Sequence, residues 1–166
     1  MAYRKILLED DPVLRKKSKE VTVFDKNLKD LFADMDETMK KAEGSGLAAV
    51  QVGILKRAFI IADRKEKVYV VNPVIISQAG KQKNLWEGCL SLPGKCGIVE
   101  RPNEVVARYQ DLDGNYHERK FVGWICKAFL HEFDHLDGIL YSDRATKMFD
   151  SYEEYAKYRD KNKEKK

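Results

Sequence analysis

Cysteine is scarce in this sequence, which has only Cys89, Cys96 and Cys126 among its 166 residues. An odd and sparse set of cysteines argues against a framework of disulfide bonds. Each is therefore expected to be either a small buried apolar residue or a thiolate with a chemical partner elsewhere in the chain. Cys126 fits a helical apolar pattern and is predicted to lie in the core.

Long apolar runs are also missing, since none approaches the roughly 20 residues that span a bilayer. The first ten residues, MAYRKILLED, lack the apolar stretch and small-residue cleavage site of a secretory signal, and acidic residues come too early for a transit peptide. We therefore expect a cytoplasmic protein without a membrane segment. The length and the apolar content of 43% fit a single globular domain over residues 1–166.

The basic excess of the chain lies at one end. Residues 157–166 contain six basic and two acidic residues, which accounts for the whole net charge of +4 and leaves residues 1–156 neutral. We predict a basic C-terminal tail from about residue 157. A solvated tail is the favoured interpretation, and contact with a polyanion such as RNA is the alternative.

Apolar periodicity predicts three helices. The first covers residues 26–43, with Asp25 or Asn27 as its cap, and ends at Gly44. The second starts near Trp124 and ends at Gly138. The third starts at Ser151, whose spacing from Glu154 is typical of a capping box.

Residues rich in Ile, Val, Phe and Tyr predict strands between the first two helices. These strands cover residues 58–62, 68–76, 105–109 and 116–122. The Asp113-Gly114 pair indicates a hairpin between the last two, with His117 on its surface. The element order predicts an α+β fold, with antiparallel sheets packed around a central helix, an N-terminal amphipathic helix and a C-terminal helix.

The strongest chemical signal is His131-Glu132-Phe133-Asp134-His135 in the second predicted helix. Residues four apart lie on one helix face, so the two imidazoles can bind one metal ion while Glu132 serves as general base. Trp124 and Ala128 continue the stripe of His131 and His135, which we expect to face inward. An unpaired buried imidazole would be costly there, and a metal would satisfy it.

A third ligand decides the class of enzyme, because a catalytic metal takes about three protein ligands and leaves one position open. Downstream of His135, Asp137 and Asp143 are available, but neither fits a zincin pattern. Upstream, Cys89 lies beside a glycine in a strand-and-turn context and is a plausible thiolate ligand.

Three blocks in this order resemble the peptide deformylase family along nearly the whole chain. They read Gly44-Ser45-Gly46-Leu47-Ala48-Ala49-Val50-Gln51, Glu87-Gly88-Cys89-Leu90-Ser91 and His131-Glu132-Phe133-Asp134-His135. The opening Asp11-Pro12-Val13-Leu14-Arg15 is similar as well. The resemblance implies a hydrolase that removes the formyl group from the N-terminal formyl-methionine of new polypeptides and releases formate.

The resemblance also implies a role for each site residue. Cys89, His131 and His135 would bind one divalent metal ion, and Glu132 would be the acid–base group. Gln51 and the backbone N–H of Leu90 would stabilise the oxyanion, and the backbone of Gly46 would hold the substrate peptide as an added strand. The metal expected from the family is Fe(2+), with Ni(2+), Co(2+) or Zn(2+) as substitutes.

This sequence departs from the family pattern at three positions. Ser45 stands where Val or Ile is usual, Leu130 where Gln is common, and Cys96 where many members have Arg, with Lys95 before it. We expect an active enzyme, with a shifted peptide preference. By family position, Leu85, Trp124 and Ala128 are candidates for the methionine pocket, with ordinary core positions as the alternative.

Two other functions compete with deformylation. A zincin endopeptidase would use a third ligand downstream of His135 and would cut unformylated peptides. A non-catalytic metal-binding or ribosome-binding relative would have no use for Glu132 or Gln51. The expected partners are formylated nascent peptides and, through the basic tail, the ribosome; we expect a monomer.

Overall fold

The fold is known from a computed structural model, which describes residues 2–163. Its helices are α1 (Lys26–Lys41), α2 (Trp124–Leu136), α3 (Tyr141–Arg144) and α4 (Tyr152–Lys163), with short 3-10 helices at Pro12–Arg15 and Ala49–Val52. Its strands are β1 (Gly46–Ala48), β2 (Ala58–Ala62), β3 (Lys67–Ala79), β4 (Trp86–Cys89), β5 (Leu92–Ile98), β6 (Glu104–Gln110), β7 (Tyr116–Val122) and β8 (Lys147–Phe149).

The strands form two antiparallel sheets. The larger has the order β1-β2-β3-β6-β7 and the smaller the order β4-β5-β8, so β1 and β4 are both edge strands. The predicted hairpin is confirmed, because β6 pairs with β7 and Gly114 adopts a φ of +85° in the connecting turn. Irregular pairing between β3 and β6 marks two bulges in the long strand β3.

Strand β2 shows how the larger sheet separates two apolar layers. Phe59 and Ile61 pack in the cluster that contains the apolar face of α2, whereas Ala58 and Ile60 pack with α1. Successive side chains of a strand point to opposite faces, so one short run of five residues serves both layers. Helix α2 is thereby held centrally between the sheets, which confirms the predicted α+β arrangement.

Helix α1 begins as its sequence predicts. The Asp25 carboxylate accepts a hydrogen bond from the Leu28 N–H at 3.2 Å, so Asp25 and not Asn27 is the cap. Leu28, Phe32 and Met35 are buried along one face. The helix ends at Lys41, two residues before the predicted end, and Gly44 closes it by donating to the Met39 carbonyl at 2.9 Å.

The C-terminal helix lies where it is predicted, with a small difference in its cap. The Ser151 hydroxyl accepts from the Glu154 N–H, but the Glu154 carboxylate accepts from Asp150 rather than from Ser151. Helix α4 has no buried residue in the part of the chain that the structure describes. The predicted tail from about residue 157 includes residues 164–166, which lie outside the described residues.

Within residues 2–163, no helix combines the length and apolar character that crossing a membrane requires.

Candidate metal centre

Helix α2 and the end of strand β4 bring the three predicted ligands together. Ligand atoms of Cys89, His131 and His135 all lie within 4.8 Å of one another. The two histidines are one helical turn apart on α2, and Cys89 is the last residue of β4. The Cys89 Sγ and the His135 Nε2 are 3.5 Å apart.

This spacing fits a metal ion held by a thiolate and imidazoles. Metal–sulfur and metal–nitrogen bonds of roughly 2.3 and 2.1 Å at a tetrahedral angle place S and N roughly 3.6 Å apart. Within residues 2–163, the buried His135 Nδ1 has no hydrogen-bond partner, so no hydrogen bond to this atom stabilises the charged imidazole. Burial lowers the pKa of His135 well below its usual value, which keeps the imidazole in its neutral, metal-binding form.

A buried carboxylate orients the first histidine. The His131 Nδ1 lies 2.7 Å from the Glu87 Oε1, so the ring donates from Nδ1, and its Nε2 becomes available to a metal once it has lost its proton. Although burial opposes the charged form, hydrogen bonds to Cys89 and Glu87 raise the pKa of His131 well above its usual value. The Tyr141 ring stacks on the same imidazole, with ring centres 5.8 Å apart.

Glu87 belongs to a buried ionic network beneath the ligands. The Arg101 guanidinium donates to both Glu87 oxygens at 2.8 and 3.0 Å, and to the Asp134 carboxylate at 2.7 Å. Arg144 donates to both Asp134 oxygens. Burial opposes ionisation of Glu87, but His131 and Arg101 outweigh it and lower the pKa of Glu87 to about 2. The carboxylate that orients His131 is thus held in its charged form.

The Glu132 carboxyl group is buried beside the ligands without being one of them. Its Oε1 lies 4.0 Å from the His131 Nε2, and within residues 2–163 its Oε2 has no hydrogen-bond partner. Burial raises the pKa of Glu132 to about 7. A carboxyl group with a pKa near neutrality can both accept and donate a proton, as an acid–base group must.

Gly46 leaves the space that this carboxyl group occupies. A Cβ atom at position 46 would lie 2.7 Å from the Glu132 Oε1, closer than real Cβ contacts. Gly46 is also opposite Ile61 on the edge strand β1, where the neighbouring Ser45 carbonyl accepts from Ala62. Because antiparallel pairs alternate, the N–H and C=O of Gly46 point away from β2, toward the open edge of the sheet.

The Gln51 amide has its orientation set by the backbone. Its Oε1 accepts from the Ala48 N–H at 2.9 Å, so its Nε2 must point the other way. There the Nε2 lies 3.1 Å from the Ser91 Oγ and 3.5 Å from the Cys89 Sγ. Gln51 therefore presents an N–H donor to the space around the thiolate.

These groups surround a cavity of about 420 Å³. It is lined by all the predicted catalytic and substrate-binding residues, Gly46, Gln51, Leu90 and Glu132, and by the ligands Cys89 and His131. The third ligand, His135, is buried behind them. Because Gly44 has no side chain, Leu90 can pack directly against it; a Cβ at position 44 would lie 2.6 Å from the Leu90 Cδ1.

Some expectations for the surrounding residues need correction. Trp124 does not face inward with the histidines, because it is 42% exposed. It is the first residue of α2, and the residues that follow it on the helix, Ile125 and Cys126, are buried. Trp124 and Ala128 do line the cavity, whereas Leu85 is not among its lining residues. The downstream acids have other partners: Asp137 pairs with Arg57 and Asp143 with Arg15.

Cys126 and His117 lie where they are expected, and the positions that depart from the family pattern can now be located. Cys126 is fully buried, and His117 is exposed in β7 with its Nε2 2.8 Å from Asp111. Leu130 packs in the core against the larger sheet. Cys96 is buried with its Sγ 3.6 Å from the Ser151 carbonyl, and the neighbouring Lys95 lines the cavity and pairs with Glu9.

Several functional residues are not identifiable from the sequence alone. Arg101 and Asp134 look like ordinary charged surface residues, yet both are buried below the ligands. Lys127 is another buried charge on α2. The only signals available were the position of Asp134 inside the histidine motif and of Glu87 inside the cysteine block.

Comparison with known proteins agrees with this geometry. The chain matches the family model described as polypeptide deformylase over residues 3–150. The peptide deformylase of Finegoldia magna is 47% identical over 150 residues, which cover 89% of this chain and 93% of that protein. The peptide deformylase of Clostridium botulinum is 49% identical over 147 residues, with coverages of 89% and 99%.

Solved structures give the same result for the fold. The crystal structure of peptide deformylase from Thermotoga maritima matches with a TM-score of 0.84 at 42% identity, covering 89% of this chain and 99% of that one. The resemblance indicated by the three sequence blocks is confirmed. This chain belongs to the polypeptide deformylase family.

Proposed function

We propose that this protein hydrolyses the formyl amide at the N-terminal formyl-methionine of newly made polypeptides and releases formate. The observation that carries the proposal is the convergence of Cys89, His131 and His135 beside the buried carboxyl group of Glu132. A purely structural metal site would need no acid–base group and no open position. The cavity in front of the ligands gives a substrate access to them.

Cys89, His131 and His135 would hold a divalent metal ion. When bound, the metal supplies Lewis acidity, which makes a water molecule acidic near neutral pH and polarises the formyl carbonyl. One thiolate and two imidazoles suit Fe(2+), Co(2+), Ni(2+) or Zn(2+). We propose Fe(2+) as the native metal, with the others as substitutes.

Glu132 would accept the proton of the attacking water and pass it to the departing amine. Its burial and its pKa of about 7 support both steps, because one group must be basic first and acidic afterwards. Within the described residues the buried Glu132 Oε2 has no hydrogen-bond partner, so this oxygen is available.

Gln51 and Leu90 would stabilise the negative charge that develops on the formyl oxygen. The Gln51 Oε1 accepts from the Ala48 N–H, which fixes the direction of the Nε2 donor, so Nε2 needs no reorientation. A single preorganised donor of this kind is worth about 3 kcal/mol. We assign the second donor to the backbone N–H of Leu90, which follows the ligand Cys89 directly.

Gly46 would bind the substrate backbone. Its N–H and C=O lie on the unpaired edge of β1, which can accept an extended peptide as an added strand. Such pairing would place the formyl group at the metal end of the cavity, because Gly46 lies against Glu132.

The experiment is formate release from a formyl-Met peptide by protein purified without oxygen or loaded with Ni(2+). A Glu132→Ala variant should retain metal and lose activity, while Glu100→Ala, which removes an exposed carboxylate, should behave as the parent. No formate from metal-loaded parent protein would refute the proposal. Cleavage of internal bonds in unformylated peptides would favour an endopeptidase instead.

We also propose that α4 and the basic tail contact the ribosome and that the protein acts as a cytoplasmic monomer. Helix α4 supports this contact because it is not buried and carries basic residues in its last turn. Removing residues 157–166 should weaken co-sedimentation with ribosomes and leave hydrolysis of a free peptide unchanged. Unchanged co-sedimentation would show that the tail only aids solubility.

A further inference from the structure

Lys127 is a buried ammonium on the helix that carries the histidines. It is 6% exposed and lies one turn before His131, on the same face of α2. No carboxylate within residues 2–163 forms an ion pair with its Nζ. Charged lysines are rarely buried without a partner, so the groups around this ammonium need an explanation.

Two backbone carbonyls take the place of the missing carboxylate. The Nζ donates to the Trp86 carbonyl at 2.8 Å and approaches the Asn84 carbonyl at 3.4 Å. Asn84 lies just before β4 and Trp86 is the first residue of β4, the strand that carries Glu87 and Cys89. The ammonium therefore connects the strand of the thiolate with the helix of the imidazoles.

The Trp86 carbonyl lies on the unpaired side of β4. The Val99 N–H donates to the Leu85 carbonyl at 2.8 Å, and Trp86 is opposite Ile98 in the next pair. Because antiparallel pairs alternate, the Trp86 carbonyl points away from β5. Since β4 is the edge of its sheet, no strand within residues 2–163 bonds to it on that side. Lys127 supplies a donor that the sheet does not.

We propose that Lys127 is a positioning residue that fixes β4 against α2 and so sets the distance from Cys89 to His131 and His135. The metal-binding part of this proposal rests on the proposed function. Trp86, which accepts the hydrogen bond, is directly followed by Glu87, which orients His131, and Cys89 is two residues further on. The hydrogen bond from Lys127 to Trp86 therefore affects the position of the Cys89 thiolate and the orientation of the His131 imidazole together.

The test compares Lys127→Met with Lys127→Arg and with the control Lys83→Met. Methionine keeps the length and apolar contacts of the stem but removes the donors, whereas arginine retains donors. Lys83 is exposed and lies next to Asn84, so its replacement controls for a change of net charge near the site. Metal-free protein is titrated with Co(2+), and the thiolate-to-cobalt absorption band reports whether Cys89 is bound.

Loss of a residue that orients metal ligands typically weakens metal binding about 10- to 100-fold. We expect the Kd for Co(2+) to rise at least about tenfold in Lys127→Met, with a weaker thiolate band. Lys127→Arg should recover most of the affinity, and Lys83→Met should match the parent. These measurements do not depend on deformylation, so they remain informative if the enzymatic assignment fails.

A purely structural role gives a different result. Lys127→Met would then lower the unfolding midpoint of the metal-free protein while the Co(2+) Kd and the thiolate band stayed at parent values. That result, or a variant with no change at all, would overturn the proposal. If Lys127→Met does not fold, Lys127→Gln keeps a polar group but is one atom shorter, and the same criteria apply to it.

Discussion

The buried network around Arg101 predicts a large loss of stability for Arg101→Met. The side chains of Arg101 and Glu87 are each 4% exposed, and that of Asp134 is 8% exposed. Removing the guanidinium leaves the Glu87 carboxylate buried without its bidentate partner. Breaking a buried pair by removing one member costs about 3–5 kcal/mol, a substantial part of the 5–15 kcal/mol that typically stabilises a domain.

The lowered pKa of Glu87 gives a second value, of similar size, for the stabilisation that this network provides. Its fall from 4.5 to about 2 corresponds to about 3 kcal/mol of stabilisation, which Glu87 obtains from His131 and Arg101 together. A carboxyl group whose pKa is lowered by folding contributes fully above its unfolded pKa. The contribution is lost as the pH falls from about 4.5 toward about 2.

Urea unfolding of the metal-free protein measures this loss directly. We expect Arg101→Met to unfold with a free energy lower by about 3 kcal/mol at pH 7. The difference from the parent should narrow below pH 4.5, as Glu87 becomes protonated in the unfolded chain. Arg64→Met, at an exposed position, is the control. A loss below about 1 kcal/mol at pH 7, or a difference independent of pH, would refute the reasoning.

Three further predictions concern smaller parts of the molecule. Gly46→Ala should lower kcat/KM about 100-fold, because its Cβ would displace the Glu132 carboxyl group; an unchanged value in a fully metal-loaded sample would contradict this. Gln51→Glu keeps the acceptor for the Ala48 N–H but loses the Nε2 donor, so kcat should fall about 10²- to 10³-fold at equal metal content. Asp25→Ala removes the cap of α1 and should lower the urea unfolding free energy by about 1 kcal/mol, whereas an effect on peptide hydrolysis is not expected.

The local elements of this fold could be predicted from sequence because their signals are local. Asp25 and the apolar spacing indicate α1, β2 has the predicted bounds of residues 58–62, and the Asp113-Gly114 pair indicates the β6–β7 hairpin. The smaller sheet was not predicted as such. Its strands β4 and β8 have four and three residues, which are too few to show an alternation of apolar and polar side chains. Strand β5 contains proline and glycine, which are uncommon in strands.

For the site, the sequence by itself determined the histidine pair. An α-helix places residues four apart on one face, so His131 and His135 had to be neighbours once α2 formed. The order of the three blocks indicated the family and named Cys89 as the third ligand. The roles of Glu132, Gln51, Leu90 and Gly46 stay predictions that the proposed variants test.

Only the tertiary structure decided what surrounds those ligands. Whether a charged residue is buried depends on distant segments, so nothing local distinguished Arg101 and Lys127 from surface residues. The exposure of Trp124 has the same origin, because its side chain lies outside the core although the neighbouring Ile125 and Cys126 are buried. The sequence determined which groups can bind a metal. The contacts between edge strand β4 and helix α2 decided where the thiolate lies relative to the imidazoles. The hydrogen bonds between this strand and this helix join residues about 40 positions apart, so no local sequence pattern indicates them.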